Sequence, residues 1–368
     1  MFKLSVLFLF LLTLIFFNSC SEKITLSNDQ KETAVIYGLL DQSDSIHYIK
    51  INRAFSGMNN SIEIAQIPDS SYFKQVNAYV YEVKKGDTLR KWKLRDTLIS
   101  NKEAGLFYGP TQKVYYFKTN KITPLIGESG REYIFHGTFD NNKFSVTAST
   151  ELIYGNTLGY PASGGGNTYS FANGNMDKPE FYVTGIKFKP GTSVTTNTTI
   201  RVTFKEYIGQ NFTSKSFDWN VGDLDVTPGE SLTGISALGS AFYPLIAKNC
   251  TENPAITKRQ LTSIELKVTF GSEALNNYIT LNKPSSSLAQ NKTNFTNLSA
   301  TNGMRVLGIF TSRNVKTDLK LSSDLLGQTP IRALDSQSTK ELCLGQTTGK
   351  LLFCSDVVAD INTTFHCN

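Results

Sequence analysis

Five cysteines and three histidines hold most of the nucleophilic and metal-ligating chemistry open to this 368-residue chain. Cys20 is the most telling of them. It follows the small Ser19 and an almost unbroken apolar run from Leu4 to Phe17, with Lys3 as the single positive charge ahead. A short charged start, an apolar core below the ~20 residues of a bilayer-spanning helix and a small residue before the cut make residues 1–19 a secretory signal. Cleavage there leaves the Cys20 thiol at the head of the mature chain, placed for acylation. Each buried acyl methylene contributes about 0.8 kcal/mol, so several chains hold a protein on a membrane almost permanently.

The other cysteines are Cys250, Cys343, Cys354 and Cys367. An even number in an exported chain points to two disulfides. The expected pairs are Cys343–Cys354 across a short hairpin and Cys250–Cys367 tying the chain end to the body; four free buried thiols are the alternative. No C-x-x-C occurs and no spacing matches a zinc template, so no metal centre is expected here.

His47 and His136 fall inside strand patterns, and His366 is close to the last residue. Without G-x-S-x-G, H-E-x-x-H or a P-loop, these read as structural histidines. Asp223 and Asp225, near Asn220 and Glu230, place oxygen ligands at alternate positions in a weak calcium-like pattern. The spacing and glycine of an EF-hand are missing, so a turn before a helix is preferred. Tyr160, Tyr169 and Phe171 flank a glycine-rich stretch. Aromatic side chains on a loop offer flat area at low entropy cost, which makes these three the ligand-binding candidates. No cofactor is expected.

The elements that position these residues read as strands. Apolar runs and alternations at 34–40, 46–51, 76–83, 89–94, 114–117, 133–135 and 144–148, separated by turn signals, predict a β-sandwich domain of immunoglobulin or transthyretin type over 34–154. Lys84-Lys85-Gly86-Asp87 is a hairpin turn. Residues 20–33 read as a polar tether and 155–175 as a glycine-rich linker or loop. A second β-rich domain follows over 176–368, with strands at 181–188, 200–208 and 264–270. Its helix is expected near 228–248, where Thr227-Pro228-Gly229-Glu230 matches a capping box and Leu232, Ile235, Leu238, Phe242 and Leu245 recur at helical spacing. Pro244 should kink or end that helix. The net charge of +6 is spread without a dense basic cluster, which argues against nucleic-acid binding.

Two features tie the chain to a known group. The register of Cys20 behind Phe17-Asn18-Ser19 looks like a bacterial lipobox. Tyr37-Gly38-Leu39-Leu40, then Asp44 through Phe55, resembles the start of uncharacterised Bacteroidetes lipoproteins that carry a domain of unknown function and are often encoded beside TonB-dependent receptors. The stretch Tyr278-Ile279-Thr280-Leu281-Asn282-Lys283-Pro284 and the pair Asn302-Gly303-Met304 and Leu307 through Arg313 extend the likeness over most of the mature chain. The resemblance implies a β-sandwich lipoprotein of the outer membrane. Pro284 is expected to end a strand at Leu281, and Arg313 to pair with a carboxylate or clamp an anion.

The expected function is therefore non-enzymatic: a lipid-anchored accessory protein that binds a ligand or docks on a partner, such as a TonB-dependent receptor. A structural envelope or adhesion lipoprotein is the alternative. A hydrolase comes third, and needs Asp218, Asp223, Asp225 and Glu230 to converge in a cleft.

Overall fold

The computed structural model describes residues 32–54, 67, 70–100, 111–161, 168–282, 295–322 and 332–367. The signal segment, Cys20 and the tether as far as residue 31 lie outside them, as does Pro284. The strands are β1 (Thr33–Asp41), β2 (Ile46–Ala54), β3 (Val76–Lys84), β4 (Asp87–Lys93), β5 (Arg95–Ile99), β6 (Gln112–Lys118), β7 (Arg131–Phe139), β8 (Phe144–Glu151), β9 (Thr157–Leu158), β10 (Val183–Lys189), β11 (Thr195–Ile208), β12 (Asn211–Asp225), β13 (Thr233–Leu238), β14 (Lys258–Gly271), β15 (Ser299–Ala300) and β16 (Arg305–Leu321). The helices are α1 (Gly239–Asn249), α2 (Glu273–Asn282) and α3 (Ser336–Leu344). The fold is mostly β, as the alternating pattern predicts.

The expected partition at 34–154 and 176–368 does not hold. One eight-stranded sheet runs in the order β12-β11-β14-β16-β1-β2-β6-β5 and crosses it. The 17 residues of β16 make the crossing. Its first half pairs in parallel with β1, from Thr33↔Arg305 to Asp41↔Arg313. Its second half pairs antiparallel with β14, from Gly271↔Arg313 to Ser263↔Leu321. Both registers meet at Arg313, whose Nε lies 3.5 Å from Oδ2 of the buried Asp41. Parallel neighbours need a long connection, and here the connection is nearly the whole chain. Gly308 is required at this seam: its φ is +104°, and a Cβ would sit 2.0 Å from the Ile36 carbonyl oxygen.

A five-stranded sheet, β15-β8-β7-β3-β4, faces the β1 half of the large sheet. Between them lies a first core that includes Ile36, Ile49, Val80, Tyr133, Phe135 and Phe139, together with Leu298 and Phe310 from late in the chain. A second core under β11 and β14 gathers Phe171, Phe188, Phe204, Phe242, Phe270 and Leu342. A three-stranded sheet, β13-β10-β9, and helices α1 and α3 cover it.

The helix expected at 228–248 begins at Gly239. Thr227 to Glu230 form a turn instead, with Glu230 N donating to Thr227 O at 3.1 Å and Gly229 at φ +79°. Residues Thr233–Leu238 are strand β13, paired antiparallel with β10 from Val183↔Leu238 to Phe188↔Thr233. Long-range pairing overrides a helical spacing that was incidental. Pro244 lies inside α1. Tyr278 to Asn282, read as a strand end, are the last turn of α2. β14 stops at Gly271, and Ser272 Oγ accepts from Leu275 N at 3.4 Å to open the helix.

The disulfide pairing also differs. Cys354 bonds to Cys367, while Cys250 and Cys343 are free. The chain end runs beside residue 355, with Ser355 N donating to Phe365 O and Cys367 N to Ser355 O, both at 2.8 Å, which brings the two Cα atoms to 4.9 Å. Cys343 cannot cross a hairpin because it sits on α3 against the second core. Burial pushes the Cys250 thiol up to about 11 and the Cys343 thiol up to about 12, so both stay protonated.

Candidate functional site

The structure separates the three aromatic candidates. Tyr169 and Phe171 are fully buried and belong to the second core, not to a loop. Phe171 stacks on Phe242 at 4.5 Å and on Tyr169 at 5.6 Å. The expected linker around them is packed structure. Tyr169 bridges to Leu334, Ala172 bridges to Phe181, and β9 pairs with β10. A glycine-rich flank suggests a mobile loop, but Tyr169 N donates to Ala333 O at 2.9 Å, Phe171 N to Ser338 Oγ at 2.7 Å and Tyr182 N to Phe171 O at 2.9 Å, which fixes this stretch. Tyr160 alone stays exposed; residues 162–167 lie outside the described set.

The acidic candidates do not converge. Asp218, Asp223 and Asp225 are spaced along the exposed edge strand β12. Asp218 is held by Arg201 through bonds of 2.7 and 2.9 Å, and Asp223 accepts from Asn197 Nδ2 at 2.8 Å. At about 3.3 Å per residue, Asp218 and Asp225 stand far apart, and Glu230 is exposed in the following turn. Among the described residues no group of three His, Cys, Asp or Glu side chains could hold a metal ion.

Among the histidines, His47 is buried, shares a 2.9 Å hydrogen bond with Thr119 Oγ1 and stacks on Phe117 at 4.6 Å. Burial pushes its pKa from 6.5 down to about 4, against a weaker opposing pull from Asp41. The folded protein keeps it neutral while the unfolded chain protonates it, so its contribution is lost as pH falls from about 6.5 towards 4. The variant His47→Phe is expected to lose less stability than the parent over that interval, measured by urea unfolding at pH 7, 5.5 and 4.5. Parallel slopes for the two proteins would show that His47 does not titrate in this way. Near the C-terminus, Ser355 Oγ donates to Asp360 at 2.6 Å, and Asp360 is gripped by Arg332 at 2.9 and 2.6 Å. The serine hydroxyl is therefore committed to a carboxylate, and no histidine activates it.

A cleft of about 410 Å³ opens where the two facing sheets meet at one edge. The hairpin Lys84-Lys85-Gly86-Asp87 folds as its sequence predicts, with Lys84 opposite Asp87. After it, alternation along β4 and β5 sorts the side chains. Trp92 packs against the first core and Leu94 is buried within it, while Lys91, Lys93 and Arg95 stand exposed. At Leu94 the chain leaves the five-stranded sheet for the large one, where Arg95 lies directly opposite Tyr116 on β6. Lys91, Lys93, Arg95 and Lys118 line the cleft with the rings of Trp92, Tyr116 and Phe117.

The charge there is uncompensated. Among the described residues, none of these four cations makes an ion pair with a carboxylate. Asp96 is next in sequence, but it pairs with Tyr115 on the other face. Lys118 Nζ lies 5.8 Å above the Tyr116 ring of the lining, and Lys91 Nζ lies 4.1 Å above the ring of Tyr79, which is outside it. The lining offers donors and flat apolar area without a histidine, thiol or carboxylate, which suits capture of an anion better than acid–base chemistry. In the sequence, residues 89–94 read as an ordinary hairpin strand. The signal was present in Lys91-Trp92-Lys93-Leu94-Arg95, where every outward position is cationic.

No model of a known protein family matches this chain, and no curated protein matches it.

Proposed function

We propose that this chain is a lipid-anchored outer-membrane binding protein, tethered through Cys20, that captures an anionic ligand at the edge cleft and works beside a TonB-dependent receptor. One observation carries the capture: four cations line one cleft, and among the described residues none of them pairs with a carboxylate. Exposed cations normally repel one another or pair, and a cluster left open is complementary to a negative ligand. The anchor rests on the signal pattern ahead of Cys20, and the receptor on the likeness to lipoproteins encoded beside such barrels.

Arg95→Ala combined with Lys118→Ala is expected to weaken binding of inorganic polyphosphate at least tenfold in low salt, since hydrogen bonds to charged groups are worth about 1.5–3 kcal/mol each. Titration calorimetry on the full mature protein reads this directly; unchanged affinity removes the cleft as the site. Crosslinked recovery from outer membranes tests the partner, with a TonB-dependent barrel expected in stoichiometric amount.

The second reading, a structural envelope or adhesion lipoprotein, is favoured by β12. Its 15 residues form an open edge of the large sheet, with most side chains exposed. Recovery of surface proteins without a barrel moves that reading ahead.

A further inference from the structure

We infer that the ligand of the edge cleft is an acidic sugar, a carboxylated or sulfated glycan, read by a row of tyrosines running out of the cleft across the sheet face. This inference rests on the proposal that the cleft captures anions, and it names the class of anion. Arg95 on β5 lies directly opposite Tyr116 on β6, and Tyr116 lies directly opposite Tyr48 on β2. Directly paired residues share a face, so the three form one line across adjacent strands spaced about 4.8 Å apart. The rings of Tyr48 and Tyr116 are 6.3 Å apart and tilted by 49°. Tyr48 is 47% exposed, so its ring is open to a ligand.

Farther along the same face, Tyr37 stands opposite Lys50 on β2 and accepts a 3.2 Å hydrogen bond from the Tyr278 hydroxyl of α2. Arg95 and Lys118 thus adjoin the rings of Tyr116 and Tyr48 on one face. A simple anion such as phosphate needs the cations and has no use for the rings. A neutral sugar needs the rings and leaves the cations unpaired. The combination fits a ligand with an apolar ring face, which lies on the negative face of a phenol, and with a carboxylate or sulfate, which meets Arg95, Lys93 or Lys118. The net charge of +6 is spread along the sequence without a dense basic cluster, which gives a nucleic-acid backbone no support as the ligand.

The test uses the full lipidated protein in detergent with five probes: an oligogalacturonate, a sulfated dextran, a neutral dextran oligomer of the same length, inorganic polyphosphate and single-stranded DNA. Oligogalacturonate should bind at least tenfold more tightly than the neutral oligomer. The substitutions Tyr48→Ala and Tyr48→Ser, at an exposed ring outside the cleft lining, should each weaken oligogalacturonate at least fivefold and leave polyphosphate unchanged, with the melting temperature unaltered. A sulfated dextran that binds in place of oligogalacturonate, with the same tyrosine dependence, supports the inference equally. If polyphosphate binds and the tyrosine substitutions change nothing, the sugar assignment is overturned while anion capture stands. If single-stranded DNA binds more tightly than either acidic sugar through the same tyrosine, the ligand class is wrong. If none of these anions binds, both the sugar assignment and the anion-capture reading fall.

Discussion

Phe171→Ala is expected to lower the stability of this protein by about 3–5 kcal/mol, the range for truncating a buried phenylalanine. The residue is fully buried among Tyr169, Trp219 and Phe242, with ring centroids at 5.6, 6.0 and 4.5 Å. Its backbone N–H donates to Ser338 Oγ at 2.7 Å, so the surrounding chain is fixed and cannot collapse into the space. The residual cavity therefore keeps most of its cost. Tyr160→Ala, at an exposed position nearby, should fall within about 1 kcal/mol of the parent. Urea unfolding of both variants separates the two roles that the sequence had merged. A Phe171→Ala protein as stable as the parent would contradict the packing described for the second core.

The contrast between these neighbours shows what the sequence carries and what it leaves out. Strands with one face in a core were legible, because Ile264, Leu266, Val268 and Phe270 alternate with polar residues and are buried as the alternation requires. β12 was not: most of its side chains face water, so little apolar alternation was available to mark it. β13 was hidden by Leu232, Ile235 and Leu238, whose spacing is compatible with a helix until β10 is present to pair with them. Of the crossing strand β16, only Leu307 through Arg313 stands out in the sequence, as part of the family likeness. Its continuation presents Asn314, Asp318 and Lys320 to the interior, a polar inner face that resembles a loop. The cleft depends on which strands become neighbours, because Arg95, Tyr116 and Tyr48 are drawn from three separate segments. Their individual identities could be read from the chain, whereas their alignment is a product of register.

Glu82→Gln is expected to cost about 3 kcal/mol, with an acid-side signature that distinguishes it from a packing defect. Glu82 is fully buried on β3, and its carboxylate is bonded by Arg90 from β4 and Arg131 from β7. Arg90 reaches on to the Thr123 and Pro124 carbonyls at 2.9 and 2.8 Å, so one carboxylate ties three strands to the 120s loop. Glutamine keeps the volume but leaves Arg131, whose side chain is 11% exposed, short of a counter-charge in a dry site. Glu128 still meets Arg131 at 2.5 Å, which holds the loss near the lower end of the 3–5 kcal/mol seen when one partner of a buried pair is removed. Burial raises the Glu82 pKa, but the bonds from Arg90 and Arg131 outweigh it and hold the carboxyl below its usual range. A depressed folded pKa gives stability that is present above the unfolded carboxylate value of about 4.3 and disappears as pH falls through the folded one. The gap between parent and variant should therefore be full at pH 7, shrink below about pH 4 and resist 1 M salt, since a buried pair is screened little. Glu128→Gln, at the solvent rim of the same network, should change stability far less than Glu82→Gln. A pH-independent gap for Glu82→Gln would mean that shape, not charge, is what Glu82 supplies.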